Sequence, residues 1–193
     1  MADLTGLRID GGLVGLRPLE AGDEAGFADL FESSAEFWAP WTPAPTRPIP
    51  VRERFRRERM RAELGAAAGT HVRLGGFLAD GSLVGLFALN EVVRGVFQSA
   101  HASWQVGAQW TGRGFGTDGV RALLALAFAD EPRGAGLHRV QANIMPGNTA
   151  SLRVAEKVGF REEGLAERYL RIAGRWADHV MLAMTVEEWR DRS

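Results

Sequence analysis

The chain of 193 residues has no cysteine and a single lysine, Lys157, so 22 of its 23 basic residues are arginine. Without cysteine there are no disulfides, no thiolate metal ligands and no cysteine nucleophile; no metal site is expected. A positive excess is also missing, since 23 basic residues face 24 acidic ones for a net charge of −1. That balance argues against the broad cationic surface that direct nucleic-acid binding requires. No apolar run reaches the roughly 18 residues of a membrane span. The opening stretch MADLTGLRIDGG has neither the basic nor the apolar region of a targeting signal. These absences point to a cytoplasmic protein with no membrane partner. What is present is ordinary for a folded chain, 46% hydrophobic and 24% charged residues. At about 100–200 residues per domain, residues 1–193 are expected to form one domain.

Leu13–Leu19 reads as a first strand ended by proline. Asp23 stands where a helix N-cap belongs, ahead of Phe27, Leu30 and Phe31. Pro40, Pro43, Pro45, Pro48 and Pro50 exclude helix or central strand over that stretch, which is therefore a loop. Phe37, Trp38 and Trp41 lead into it, either pinning it to the core or walling a binding site. Val51–Leu64 carries six arginines and three glutamates and reads as a charged helix. It is either a solvated face of Glu/Arg pairs or a dock for an acidic or nucleic-acid-bound partner. Strand-like runs His71–Ala79 and Leu83–Val93 flank the turn Asp80-Gly81-Ser82. Ala100–Gly107 is a further strand, followed by a glycine-rich turn and a helix with Val120, Leu123, Leu124 and Ala127 on one face. Leu137–Met145 is a strand, and Asn148–Val158 a short helix closed by Gly159. A final hairpin, Phe160–Ile172 and Trp176–Met184, turns at Ala173-Gly174. The pattern predicts a mixed α/β fold with a β-α-β unit in its second half.

The most informative segment runs from Gln109 to Thr117 through Gly112, Arg113, Gly114, Phe115 and Gly116. Alternate glycines let backbone N–H groups converge at the positive end of a helix dipole, a geometry that binds phosphate. Arg113 can add a charge-assisted contact. The alternative is a tight turn that needs glycine for its geometry alone. Gly114 to Gly119 also matches the dinucleotide fingerprint G-x-G-x-x-G. The next strand, however, ends Ile144-Met145-Pro146-Gly147-Asn148, without the ribose-binding carboxylate.

Read as Gln109-x-x-Gly112-x-Gly114, the turn resembles the acyl-CoA pyrophosphate loop of the GNAT superfamily of N-acetyltransferases. The resemblance extends from Leu16-Arg17-Pro18-Leu19 through Val92-Val93-Arg94-Gly95-Val96-Phe97 and Glu156-Lys157-x-Gly159-Phe160 to Gly174-Arg175-Trp176-x-Asp178-His179. Within the superfamily the chain is similar to the ribosomal-protein alanine N-acetyltransferases. The resemblance implies a single-domain α/β (α+β) fold. Its central sheet is mixed, mostly antiparallel and twisted, splayed to hold acyl-CoA and flanked by helices. The implied cofactor is acetyl-CoA and the implied acceptor a protein or peptide N-terminus, ribosomal proteins included, for a monomer or homodimer.

Carried over residue by residue, Ala100–Gly107 and Leu137–Met145 are the strands that part around the pantetheine arm. Backbone around Val106, next to Gln105, pairs with it. Gln109 and Gly112 to Thr117 hold pyrophosphate, and Asn143 and Asn148 serve the cofactor arm. Asn148 is also a natural helix N-cap. Ser151 matches a serine near sulfur, where a hydroxyl can hydrogen-bond a developing thiolate; helix capping is its alternative role. Two positions depart from the family pattern: Ala155 replaces a tyrosine, and Gln141 a glutamate base. The sole tyrosine, Tyr169, matches no motif position. An α-amine of pKa about 7.7–8.0 is roughly one-third neutral at pH 7.5, against ~0.1% for a lysine amine, a difference of about 3 kcal/mol. Loss of a strong base therefore favours an α-amine acceptor.

Alternation supplies base candidates. His101, Ser103 and Gln105 share one strand face, and His101 could take a proton through water. Asp178 shares a face with Trp176 and could orient the ammonium, while His179 faces the other way; Glu91 is a further candidate. Ser151, Asn148 and His101 are thus the expected catalytic residues. Trp38, Trp41, His101, Trp176 and Asp178 are expected to meet the substrate, which enters between the proline loop and the final hairpin. Two other functions fit the residues: acetylation of a small-molecule amine, whose polyamine version calls for several carboxylates, and a catalytically silent CoA-binding module.

Overall fold

Side chains that alternate between two covered faces set the strands. The computed structural model describes residues 8–10, 12–45 and 47–192; residues 1–7, read above for a targeting signal, lie outside them. Its first half comprises β1 (Ile9–Asp10), β2 (Gly15–Arg17), α1 (Glu24–Trp38), α2 (Val51–Ala68), β3 (Val72–Phe77) and β4 (Leu83–Val93). The second comprises β5 (Ser99–Val106), α3 (Phe115–Phe128), β6 (Arg139–Ile144), α4 (Thr149–Val158), β7 (Arg161–Ile172), β8 (Arg175–Thr185) and α5 (Val186–Arg190). Seven strands form a sheet in the order β2-β3-β4-β5-β6-β8-β7, and the two-residue β1 extends its β2 edge. Every neighbouring pair is antiparallel except β5 and β6. This is the mixed, mostly antiparallel sheet that the resemblance implies.

The parallel pair is short. Ser99, Ala100 and His101 lie opposite Arg139, Val140 and Gln141, and beyond them the two strands part. From there β5 follows β4 to Val106 while β6 follows β8 to Ile144. The slot so opened is the first element of the site.

Helices cover both sheet faces. Val120, Leu123, Leu124 and Ala127 of α3 are wholly buried against Val84, Phe87 and Leu89 of β4 and the apolar residues of β6. Gly119 is needed there, because a Cβ would stand 2.3 Å from the Phe87 ring. On the other face Phe27, Leu30 and Trp38 of α1 pack with Phe55 of α2, Phe77 and Leu83. Adjacent Leu83 and Val84 divide between the two clusters, as a period of two requires.

Several local expectations shift. The first strand is confined to Gly15–Arg17. Asp23 does not cap α1 through its side chain. It closes a preceding 3₁₀ turn by accepting the Glu20 N–H at 2.7 Å, and its carboxylate takes both Arg17 Nη atoms at 2.7 and 2.8 Å. Helix α2 continues past Leu64 to Ala68, where Gly69 at φ +70° ends it. Three of its six arginines are in ion pairs, Arg52 with Glu24, Arg57 with Glu53 and Arg59 with Glu63. Among the described residues no helix is long and apolar enough to cross a membrane.

Candidate active site

A cavity of about 760 Å³ occupies the slot and runs out over the sheet. One wall is mostly backbone. Gly112 and Gly114 sit at φ +74° and +86°, a region that strongly favours glycine. Their turn delivers the chain into α3 with Gly114 at the N-cap and no side-chain cap. The first intrahelical bond is Asp118 N–H to the Gly114 carbonyl. None of the described residues accepts from the N–H groups of Phe115, Gly116 or Thr117, and all three residues line the cavity. The only carboxylate in this turn, Asp118, is turned away to accept Leu13 and Val14 N–H at 2.9 and 2.8 Å. Unclaimed amides at a helix N-terminus with no facing anion fit a pyrophosphate group. Helix α4 begins differently, with Asn148 Oδ1 accepting the Ser151 N–H at 3.2 Å. Asn148 and Ser151 both line the cavity.

The backbone at Val106 is partly engaged. Its carbonyl accepts the indole N–H of Trp38 at 2.9 Å, so buried Trp38 props the end of β5 besides lining the cavity. Gln105 and Trp41 line it as well. Gln109 is exposed, and Arg113 stacks over Trp110 at 5.3 Å; neither reaches the cavity wall.

Along and behind the other wall runs a polar belt of side chains, of which Glu58, Arg73, Ser103, Asn143 and His179 line the cavity. Arg73 of β3 holds Glu58 of α2 through Nε and Nη2 at 2.6 and 3.1 Å, and its Nη1 donates to Asn90 of β4 at 2.9 Å. Asn90 in turn donates to Ser103 of β5 at 2.9 Å. Across the slot, Asn143 of β6 donates to Nδ1 of His101 at 3.0 Å and to the Tyr169 hydroxyl of β7 at 3.3 Å. Its Oδ1 is buried, and among the described residues it has no partner. Tyr169 meets the ring of His179, from β8, edge-on at 5.7 Å. Strand register explains the convergence, since Asn90 lies opposite His101, His101 opposite Gln141, and Asn143 opposite Met181.

The structure brings together many of the residues expected from the sequence and disperses others. His101 lies behind Asn143 and does not line the cavity; its Nε2 points to exposed Glu91 at 3.9 Å. Asp178 spends Oδ1 on the Arg168 N–H at 2.7 Å, and Trp176 is 64% exposed, so both stand apart from the lining. His179, on the strand face that was set aside, is the residue that lines it. Glu58, Arg73, Asn90 and Tyr169 were not anticipated. A signal existed for two of them, because Arg73 and Asn90 interrupt otherwise apolar strands.

A family model described as "Acetyltransferase (GNAT) domain" matches residues 14–161. The [Ribosomal protein uS5]-alanine N-acetyltransferase of Escherichia coli (strain K12) is 29% identical over 168 residues, covering 84% of this chain and 82% of that protein. The probable N-acetyltransferase YjcK of Bacillus subtilis (strain 168) is 37% identical over 106 residues, so the match spans 55% of this chain and 56% of that relative. Among solved structures, Mycobacterium smegmatis RimJ in complex with CoA-disulfide superposes with a TM-score of 0.84 at 33% identity, covering 94% of this chain and 86% of that one.

Proposed function

This chain belongs to the GNAT acetyltransferase family, and on that footing we propose that its acceptor is the N-terminal α-amine of a protein or peptide. It is an N-acetyltransferase that uses acetyl-CoA. The observation that carries the acceptor reading is the charge of the cavity wall. Glu58 is its single carboxylate among the described residues, and Arg73 already holds both of its oxygens. A polyamine, with several cationic centres, finds no unpaired anion there. An α-amine attached to a neutral peptide needs hydrogen-bond acceptors and donors, which the belt supplies. The kinship with a ribosomal-protein alanine acetyltransferase supports the same reading.

In this reading residues 1–193 work as one cytoplasmic domain, and the chain's own groups divide the labour. Backbone amides of Gly112 to Thr117 bind pyrophosphate, and the slot between β5 and β6 takes the pantetheine arm. Asn148 fixes the start of α4 and faces that arm. Ser151, on the first turn of α4, presents its hydroxyl to the sulfur where negative charge develops. Acetyl-CoA supplies the activated acyl group, and with no cysteine in the chain transfer is direct. His101 fixes Asn143, whose unpartnered Oδ1 accepts an N–H from a bound group.

A peptide panel read by thiol release tests the acceptor. Peptides with free N-termini are expected to turn over, while N-terminally blocked peptides carrying an internal lysine are not. Turnover confined to small-molecule amines overturns the reading. Ser151→Ala is expected to lower kcat by roughly tenfold to a hundredfold with acetyl-CoA affinity kept within about twofold. An unchanged kcat removes the hydroxyl from the chemistry.

A further inference from the structure

Titratable side chains on the cavity wall are few: Glu58, Arg73, Arg153, Lys157 and His179. The two arginines and the lysine are cations at neutral pH, and Glu58 has both oxygens on Arg73. His179 is 3% exposed, yet it faces the cavity from β8. Its Nδ1 lies 3.0 Å from the carbonyl oxygen of Ala177. A carbonyl can only accept, so Nδ1 carries the proton of the neutral ring and Nε2 carries the lone pair. No described residue donates to Nε2. The edge-on ring of Tyr169 keeps the imidazole in place, and Asn143 anchors Tyr169 in turn.

His101 has the opposite arrangement. Its Nδ1 accepts from the Asn143 amide, so its lone pair is occupied and its proton sits on Nε2, directed at Glu91 outside the cavity. Of these two histidines, His101 is braced with its basic nitrogen buried in a hydrogen bond. The other is braced with its basic nitrogen open.

We propose that Nε2 of His179 is the general base that takes the proton from the acceptor amine. The assignment rests on the amine-acetylating reading above. The acceptor nitrogen's lone pair forms the new C–N bond while the electron pair of the C–S bond leaves on sulfur. One N–H proton passes to Nε2 and from there to water, and water returns a proton to the sulfur beside Ser151. The Gln141 position that carries a base in many relatives is thereby replaced by a histidine on another strand. Backbone hydrogen bonding to Ala177 sets its tautomer.

Two measurements on the full chain decide the matter. Nitrogen–proton multiple-bond NMR of the imidazole rings, recorded without acetyl-CoA, is expected to show His179 protonated on Nδ1 and His101 on Nε2. A His179 ring protonated on Nε2 overturns the proposal. His179→Gln and His179→Asn are expected to lower kcat/KM by about 10²–10⁴-fold, the usual range for general base catalysis. CoA affinity by calorimetry and the melting temperature should stay near those of the wild type. A folded variant retaining kcat/KM within about fivefold overturns the proposal, and if both variants fail to fold the tautomer of the wild type decides it. Should the wild type acetylate only small-molecule amines, the N-terminal reading falls. The same variants then judge His179 on those amines.

Discussion

The two walls of the cavity are built from different material. On the cofactor side Gly112, Gly114 and the first turn of α3 present main-chain N–H groups, and hardly any side chain takes part. On the side proposed for the acceptor the groups are side chains from β3, β5, β6, β8 and α2, braced from behind by Asn90 and Tyr169. A phosphate asks only for converging donors, which any glycine-bearing strand-to-helix turn can offer. An amine that must be oriented and deprotonated asks for particular functional groups at particular distances. The backbone wall is therefore suited to an invariant ligand, and the side-chain wall to one that differs among relatives.

The sharpest way to break this comparison is to damage the backbone wall alone. Gly114 at φ +86° is the N-cap of α3, and a Cβ there has room, standing 3.5 Å from Leu13. A substitution is therefore strained by conformation, not by crowding, at about 1–2 kcal/mol and more for a β-branched side chain. Gly114→Val is expected to weaken CoA binding by roughly tenfold or more in calorimetry. The NMR signals of His101 and His179 should stay in place. If those signals move as well, the two walls are not separable.

The same contrast decides what could be read in the sequence. Gly112-x-Gly114 is contiguous with the start of α3, so the turn of free amides was legible although Gln109 stands outside the cavity, and so were most of the elements. Gly159 at φ +103° and the Ala173-Gly174 turn, with both residues at positive φ, end their elements as expected. Helix α5 was missed although Thr185 and Glu188 cap it reciprocally, because five residues show no periodicity. The wall proposed for the acceptor is scattered from Glu58 to His179 and is assembled by strand register and by the packing of α2 against β3. Alternation puts His101, Ser103 and Gln105 on one face, of which Ser103 and Gln105 line the cavity and His101 does not, yet along β8 it offers two faces and does not say which is covered. Trp176 and Asp178 stand off the cavity at the end of β8 nearest the hairpin turn, although Val180, Leu182 and Met184 on the same face pack in the core. Tyr169 was out of reach for another reason: the β7–β8 register shifts between Ala166 and Leu170, and such an irregularity re-aims a side chain without a sequence signature.

A smaller effect should separate the halves by pH. Side-chain pairs hold the α1 side of the sheet, and Arg17 with Asp23 is the best defined of them, packed under the Phe77 ring. Burial alone would raise the Asp23 carboxyl. The Arg17 guanidinium and the Glu20 N–H outweigh it and hold the carboxyl below its ordinary value, while Asp23 raises the pKa of Arg17. A carboxyl whose folded pKa is depressed adds stability above its unfolded value of about 3.9, and that stability is lost as pH falls through the lower folded value. Asp23→Asn should therefore cost about 1–2 kcal/mol in urea unfolding at pH 7. The difference should begin to close below about pH 4 and vanish only once pH has passed below the lower folded value. A gap that does not shrink at all between pH 7 and pH 3 would assign the loss to packing and not to charge.

Asn148 sits where the two walls meet, and its two roles can be pulled apart. As the N-cap of α4 it contributes about 1 kcal/mol, so Asn148→Ala should lower the melting temperature by roughly 2–4 °C for a chain of this size. Asn148→Asp keeps an oxygen for the Ser151 N–H and adds a charge that suits a helix N-terminus, so its melting temperature should match or exceed the wild type. An aspartate, however, has no N–H to give and brings a negative charge to the cofactor side. If Asn148 faces the cofactor arm, Asn148→Asp should bind CoA several-fold more weakly despite its intact cap. Equal CoA affinity in Asn148→Asp and the wild type would leave Asn148 as a cap alone and move the seam between the walls to Ser151.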